Sequence, residues 1–210
     1  PLAHDIPDAG GEQPAPEAFA RSIPKEYVLC VGTIEPRKNH ALLLEVWKRL
    51  YDRYGEKAPS LLIIGKWGWR IESFRESLAA AGNVHGKIVV LEGLSDSELR
   101  YLYRHCLFTV FPSFAEGWGL PVGESLYFGK PCLASNSSSI PEVGGDLVRY
   151  FDPKNVDEAY RVIDAALSDR EDLAIWTEDV RRRFKPRSWD QVTDDFMQNV
   201  FKLSAVTPAK

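Results

Sequence analysis

From Tyr27 onward the chain alternates short, nearly continuous apolar runs with stretches of helical period, and this alternation restricts its fold more than any other feature. Tyr27 to Thr33 (YVLCVGT) has no polar face, which suits a parallel strand buried between two layers. Leu42, Leu43, Val46, Trp47 and Leu50 then share one stripe of a helix, with Asn39 placed to cap it. The pattern recurs as a strand at Leu61 to Ile64, a helix from Ile71 to Ala81 and a strand at Ile88 to Leu91. Ser95 opens the next helix, with Glu98 three residues on completing a capping box. A strand at Leu107 to Phe111, a helix from Leu120 to Phe128 and a strand at Pro131 to Ser135 follow. A short helix around Pro141 to Val143, a weak strand at Leu147 to Phe151 and a helix from Val156 to Leu167 complete the core. Strands separated by helices in strict succession predict βαβ units, hence an α/β fold with a doubly wound parallel sheet. Ligands of such sheets gather at the carboxyl ends of the strands, near helix N-termini.

The flanks differ. Residues 1–24 are rich in Pro, Gly, Ala and acids, lack an apolar period and read as linker. The start has neither an initiator Met nor a signal-peptide pattern, so the chain reads as a piece of something longer. The tail from Leu173 to Leu203 reads as two further helices, the second capped by Ser188. The expected division is a linker over 1–24, one domain over 25–186 and a terminal helix within 187–210.

Net charge is −4, which provides no broad basic field for nucleic acid. The run Arg181-Arg182-Arg183 sits among acids on a helix and reads as a solvated face. Cys30, Cys106 and Cys132 are odd in number, lie in or beside apolar runs and lack metal-ligand spacing. They read as reduced core thiols of a cytoplasmic protein. No apolar run approaches the ~18 residues of a membrane span.

Three segments with chemical capacity fall at strand ends. In Gly32-Thr33-Ile34-Glu35-Pro36-Arg37-Lys38-Asn39, Gly32 permits close backbone approach. Arg37 and Lys38 stand beside a helix start, where a diphosphate would be favoured, although a solvated basic pair would look the same. In the loop from Phe111 to Leu120, two glycines turn the chain into a helix whose free N–H groups form an anion or hydroxyl site. Glu116 lies in that loop and Glu124 on the helix. A carboxylate there suits the vicinal hydroxyls of a sugar or a ribose, against the plainer alternatives of a capping acid and a surface acid. In Leu91-Glu92-Gly93-Leu94-Ser95-Asp96, Gly93 would let a flat base lie on the backbone, or simply turn a strand into a helix.

Glu116, seven residues and then Glu124, in the frame EGWGLPVGESLYFGKPCLAS, resembles the paired-glutamate signature of retaining GT-B glycosyltransferases of family 4. GTIEPRKN, LLIIGKWGW, LEGLSDSELRYLYRHC, VFPSFAEG and SNSSSIPEVGGD resemble that family's other landmarks, in order. The resemblance spans about Tyr27 to Leu167, with Trp118 where the family usually has Phe. It implies a Rossmann-like domain, the donor-binding half of a GT-B fold. It further implies catalytic roles for Arg37 and Lys38 on the donor diphosphate and for Glu116 on the transferred sugar. Gly32, Gly117, Trp118, Gly119 and Leu120 would line the nucleotide-sugar site, Glu124 would hold the ribose and the backbone near Leu94 the base.

The donor expected from the resemblance is a GDP- or UDP-type sugar carrying mannose or glucose. The acceptor would be a glycan or lipid-linked saccharide held by an N-terminal domain outside this chain, in bacterial surface polysaccharide synthesis at the inner face of the membrane. Without that domain the chain would bind donor and not turn it over. No cofactor or metal is expected, since Arg37 and Lys38 would take the place of a metal and no Asp-x-Asp pair is present. The alternatives are a sugar-nucleotide epimerase of the same architecture and a non-catalytic nucleotide-sugar-binding module. The final helix would cross back to the N-terminal domain, leaving Trp189, Val192, Phe196 and Val200 short of cover.

Overall fold

Every apolar run identified as a strand joins one sheet: β1 (Tyr27–Val31), β2 (Ser60–Ile64), β3 (Ile88–Leu91), β4 (Thr109–Phe111), β5 (Cys132–Ser135) and β6 (Val148–Phe151). The protein is represented by a computed structural model that describes residues 14–204, with the side chains of Trp189, Asn199 and 201–204 outside the description. The strand order is β3-β2-β1-β4-β5-β6 and all neighbours are parallel. This is the order of a Rossmann-like sheet.

The pleat sends alternate side chains to two cores. Val28, Cys30, Leu61 and Ile63 join one with Leu43, Val46, Trp47 and Leu50 of α2 (His40–Tyr54), Leu78 of α3 (Glu72–Ala80) and Ile163 of α8 (Val156–Ser168). Tyr27, Leu29, Leu62 and Ile64 join the other with Leu102 and Tyr103 of α5 (Asp96–His105). Burial on both faces explains why these runs carry no polar alternation. Cys30, Cys106 and Cys132 are free thiols inside the cores.

Helix ends follow the capping signals in part. Ser95 and Glu98 close a capping box at α5, and Ser188 Oγ accepts from Gln191 N–H at α10 (Trp189–Ser204). Asn39 is different. It precedes α2 but sits in the left-handed region (φ 57°) and its side chain caps nothing. Its amide instead donates to the Pro112 and Pro153 carbonyls at 3.1 and 2.9 Å, where buried acceptors would otherwise lie unpaired. Gly82–His85, labelled α4, is a left-handed turn in which Asn83, Val84 and His85 all have positive φ, a departure from the simple helix-to-strand link expected there.

The segment expected as a linker, 1–24, contains one regular element among its described residues. Glu17–Ser22 forms a helical turn, α1, held by an Arg21–Glu17 ion pair and by Phe19 edge-on to Tyr101. Residues 1–13 lie outside the described part of the chain. At the other end Phe196 and Val200 of α10 are 64% and 41% exposed, while Val192 is half-buried. The Trp189 side chain lies outside the description. Among the described residues no helix is long and apolar enough to cross a membrane.

Candidate active site

β1 and β4 are neighbours in the sheet, but the chain leaves β1 toward β2 and leaves β4 toward β5. Such a reversal opens a crevice beyond the carboxyl ends of the two strands. The loop after β1 holds Arg37 and Lys38, the loop after β4 holds Glu116, and the two meet. Lys38 Nζ donates to Glu116 Oε1 at 2.6 Å and Arg37 Nη1 to Glu116 Oε2 at 2.6 Å. Ser113 Oγ adds a third bond, at 2.7 Å, to Oε1. Burial by itself pushes the Glu116 carboxyl up, but the bonds from Lys38 and Ser113, the charge of Lys38 and the bond from Arg37 outweigh it and hold it below its ordinary value. Glu116 is therefore an ionised acid with both oxygens engaged.

The loop main chain is held as firmly. Arg37 Nη1 also reaches the Ala115 carbonyl, and Phe114 N–H donates to the Arg37 carbonyl, so the two loops are sutured at side chain and backbone. From the loop after β5, Ser138 Oγ accepts the Glu116 N–H and Ser139 Oγ donates to the Glu116 carbonyl, while Ser135 Oγ, at the end of β5, donates to the carbonyl of Ser113. Glu35 Oε1 receives Arg37 Nε and Nη2 at 3.0 and 2.7 Å, which aims the guanidinium. A Cβ built on Gly32 would come 3.4 Å from Lys38 Cε and Nζ, so a glycine here leaves the space beside the ammonium open.

After Glu116 the chain passes Gly117 and Trp118 to Gly119, whose left-handed φ of 97° starts α6 (Leu120–Tyr127) without a side-chain cap. An uncapped helix start leaves N–H groups available, and Pro121 at the second position removes one that would be hard to satisfy. The shielded Trp118 indole N–H has no partner among the described residues, an unspent donor in the same loop.

Glu124, on α6, is not a surface acid. Its Oε2 accepts the Tyr103 hydroxyl at 2.7 Å, and Tyr103 is fully buried and stacked on Phe128. Burial raises the Glu124 carboxyl above its ordinary value, opposed by the Tyr103 bond and the Lys38 charge. Tyr103 is pushed far up, first by burial and then by the charge of Glu124, so the phenol stays protonated and donates. The Lys38 charge thus favours the ionised form of both glutamates. Leu94 packs at the edge of the cluster that contains Tyr103.

The structure therefore brings Gly32, Arg37, Lys38 and Glu116 together, sets the Gly117–Leu120 loop next to them, and joins Glu124 to the Leu94 side through Tyr103. Ser113, Ser138, Ser139, Glu35 and Tyr103 were not singled out in the sequence. The serine run and Ser113, three residues before Glu116, carried a weak signal, whereas nothing local links Tyr103 to Glu124, 21 positions away. Among the described residues no three His, Cys, Asp or Glu side chains form a group that could hold a metal ion.

The model of the family described as "Glycosyl transferases group 1" matches residues 15–183. The chain belongs to the group 1 glycosyl transferases. Among curated relatives it is 36% identical over 177 residues to O-antigen chain mannosyltransferase B of Escherichia coli, covering 84% of this chain and 46% of that protein. It is 33% identical to a serotype-specific mannosyltransferase of Escherichia coli, over 70% of this chain and 18% of the other. The chain thus spans about half the length of the first of these relatives and less of the second. A crystal structure of a glycosyltransferase from Rickettsia africae ESF-5 superposes on 92% of this chain and 53% of that one, with TM-score 0.73 and 17% identity, a likeness of fold.

Proposed function

We propose that this chain is the donor-binding half of a retaining GT-B glycosyltransferase that moves a hexose, mannose in the first place and glucose in the second, from a GDP- or UDP-type sugar to a glycan or lipid-linked acceptor in bacterial surface polysaccharide synthesis. The observation that carries the reading is the meeting of Arg37, Lys38 and Glu116 at the crevice between β1 and β4, next to an uncapped helix start. Membership of the group 1 family and likeness to mannosyltransferases that act in O-antigen chains support the sugar and the setting. Residues 25–186 are the donor domain in this reading, and α10 returns to an N-terminal acceptor domain at the cytoplasmic face of the membrane.

Each residue then has a task. The diphosphate carries more charge than one carboxylate and draws Arg37 and Lys38 away from Glu116. Freed of them, Glu116 accepts from hydroxyls of the transferred sugar. As the anomeric C–O bond breaks, its electron pair passes to the diphosphate oxygen, where the two cations and the amides of Gly117, Trp118, Gly119 and Leu120 stabilise it. The acceptor oxygen bonds to the anomeric carbon from the same face, and its proton leaves with the diphosphate. Glu124, held by Tyr103, receives the ribose hydroxyls, and the backbone at Leu94 and Gly93 faces the base. With both cations supplied by side chains, the reading includes no metal or cofactor, and transfer by the longer protein should persist in EDTA.

Calorimetry decides the central point. GDP or UDP should bind the chain, Glu124→Ala should weaken binding more than about tenfold, and Arg37→Ala in the longer protein should cost about 3 kcal/mol of transition-state stabilisation. Absence of binding by GDP, UDP and ADP at millimolar levels would end the reading.

A further inference from the structure

A second concavity lies behind the cationic loop. It encloses about 430 Å³, within the range of small-molecule sites, between the start of α2, the turn before α3 and Phe114. Leu44, Ile71 and Phe74 give it an apolar wall that belongs to the core. Glu35, Arg70, Ser73 and Ser77 give it a polar rim, with the two serines one helical turn apart on α3. His40, only 3% exposed, also lines it, and its Nδ1 has no hydrogen-bond partner among the described residues. A buried polar atom without a partner is costly, so this nitrogen marks the cavity as built for something polar.

Beside the cavity stands Trp69, 55% exposed. Its indole N–H donates to Glu35 Oε2 at 3.1 Å, and the Arg70 guanidinium lies 5.3 Å from its ring centre. A large aromatic held at its edge and braced by a cation, yet mostly open to solvent, is a platform awaiting contact. Glu35 joins the two concavities, because its other oxygen orients Arg37. The combination of an open ring, an apolar wall and a rim of hydroxyl and carboxylate groups matches a pyranose, which has a C–H face and hydroxyls around its edge.

We propose that this cavity, with Trp69 beside it on Glu35 and Arg70, is a subsite for a neutral hexopyranose of the acceptor saccharide. The proposal rests on the glycosyltransferase reading and extends it: the acceptor is gripped in part by this half of the enzyme, on the far side of Glu35 from the donor. His40 is neutral at physiological pH, because burial and then the charge of Lys38 lower it to about 4, which leaves the ring able to accept or donate to a hydroxyl.

The test uses the whole chain, isotopically labelled, with an α-linked mannotriose as probe and GDP and UDP in parallel samples. The Trp69 indole N–H resonance should shift on titration with mannotriose. Trp69→Ala should weaken binding about tenfold, the usual order for truncating a contact aromatic, read from the methyl signals of Leu44 and Ile71. Ser77→Phe, which fills the cavity from α3, should abolish the mannotriose shift while nucleotide affinity stays at the parent value. A protein that binds nucleotide but shows no Trp69 shift at tens of millimolar saccharide overturns the subsite and leaves the donor reading standing. A shift that survives Ser77→Phe places the saccharide elsewhere and overturns it equally. Loss of nucleotide binding with an intact mannotriose response refutes the donor assignment instead.

Discussion

Glu116 carries two cations and a hydroxyl on one carboxylate, which hold it below its ordinary value, whereas burial raises Glu124 against the opposing bond from a buried phenol. Tyr103→Phe removes the one bond that favours ionised Glu124, so its carboxyl should rise further. Only the ionised form accepts two ribose hydroxyls, so nucleotide binding should fall about fivefold, and more at pH 6 than at pH 8, when titrated by calorimetry. His40 provides a stability signature. Its folded value of about 4 lies below the ordinary 6.5, so the unfolded chain takes up a proton that the folded chain refuses. Stability is then full above pH 6.5 and lost as pH falls toward 4, by up to about 3 kcal/mol. His40→Gln, neutral throughout, should remove this slope from urea unfolding measured between pH 7 and 4. Glu116, with its depressed value, contributes only lower down, where its salt bridges are lost as pH drops below the ordinary carboxylate range.

At the scale of elements, short loops hold the strands' carboxyl ends in register. Asn39 ties the α2 start to the loops after β4 and β6, and it does so from a left-handed backbone that asparagine tolerates better than alanine. Asn39→Ala should destabilise the chain by about 3 kcal/mol in urea unfolding, through two unpaired carbonyls and the strained φ. Gly65 ends β2 hard against β1: a Cβ there would overlap the Gly32 carbonyl, under Lys38. Gly65→Ala should therefore cost about 3 kcal/mol or more in the same measurement and weaken nucleotide binding with it, because the β1 loop must move. The serine caps at α5 and α10 were readable as local patterns, since a cap is an interaction over three residues. The left-handed turn at Asn83–His85 was not, because the fit of Val84 into the core and the stacking of His85 on Tyr51, both tertiary contacts, favour it.

For the molecule as a whole, the exposed stripe of α10 separates the stability of this chain from that of a longer protein. Phe196→Ser with Val200→Ser should change the chain's unfolding free energy by no more than about 0.5 kcal/mol, because both side chains are exposed and outside the core. In the longer protein of the proposal the same pair should lower the melting temperature, which differential scanning calorimetry would detect.

Periodicity determined the parallel sheet, the helix stripes and the buried thiols, because a chain's pattern of apolar residues states which faces must leave water. It also placed Arg37, Lys38, Glu116 and Glu124 at strand ends, though not beside one another. That was decided by strand order: β1 lies next to β4 and not only next to β2, which joins loops 78 and 79 positions apart through Glu116. The partnership of Tyr103 with Glu124, the use of Asn39 as a tie and the cavity behind Glu35 have the same origin. Each depends on which surfaces pack together, and packing is settled by the fit of whole elements across the sheet, which no local window of sequence contains.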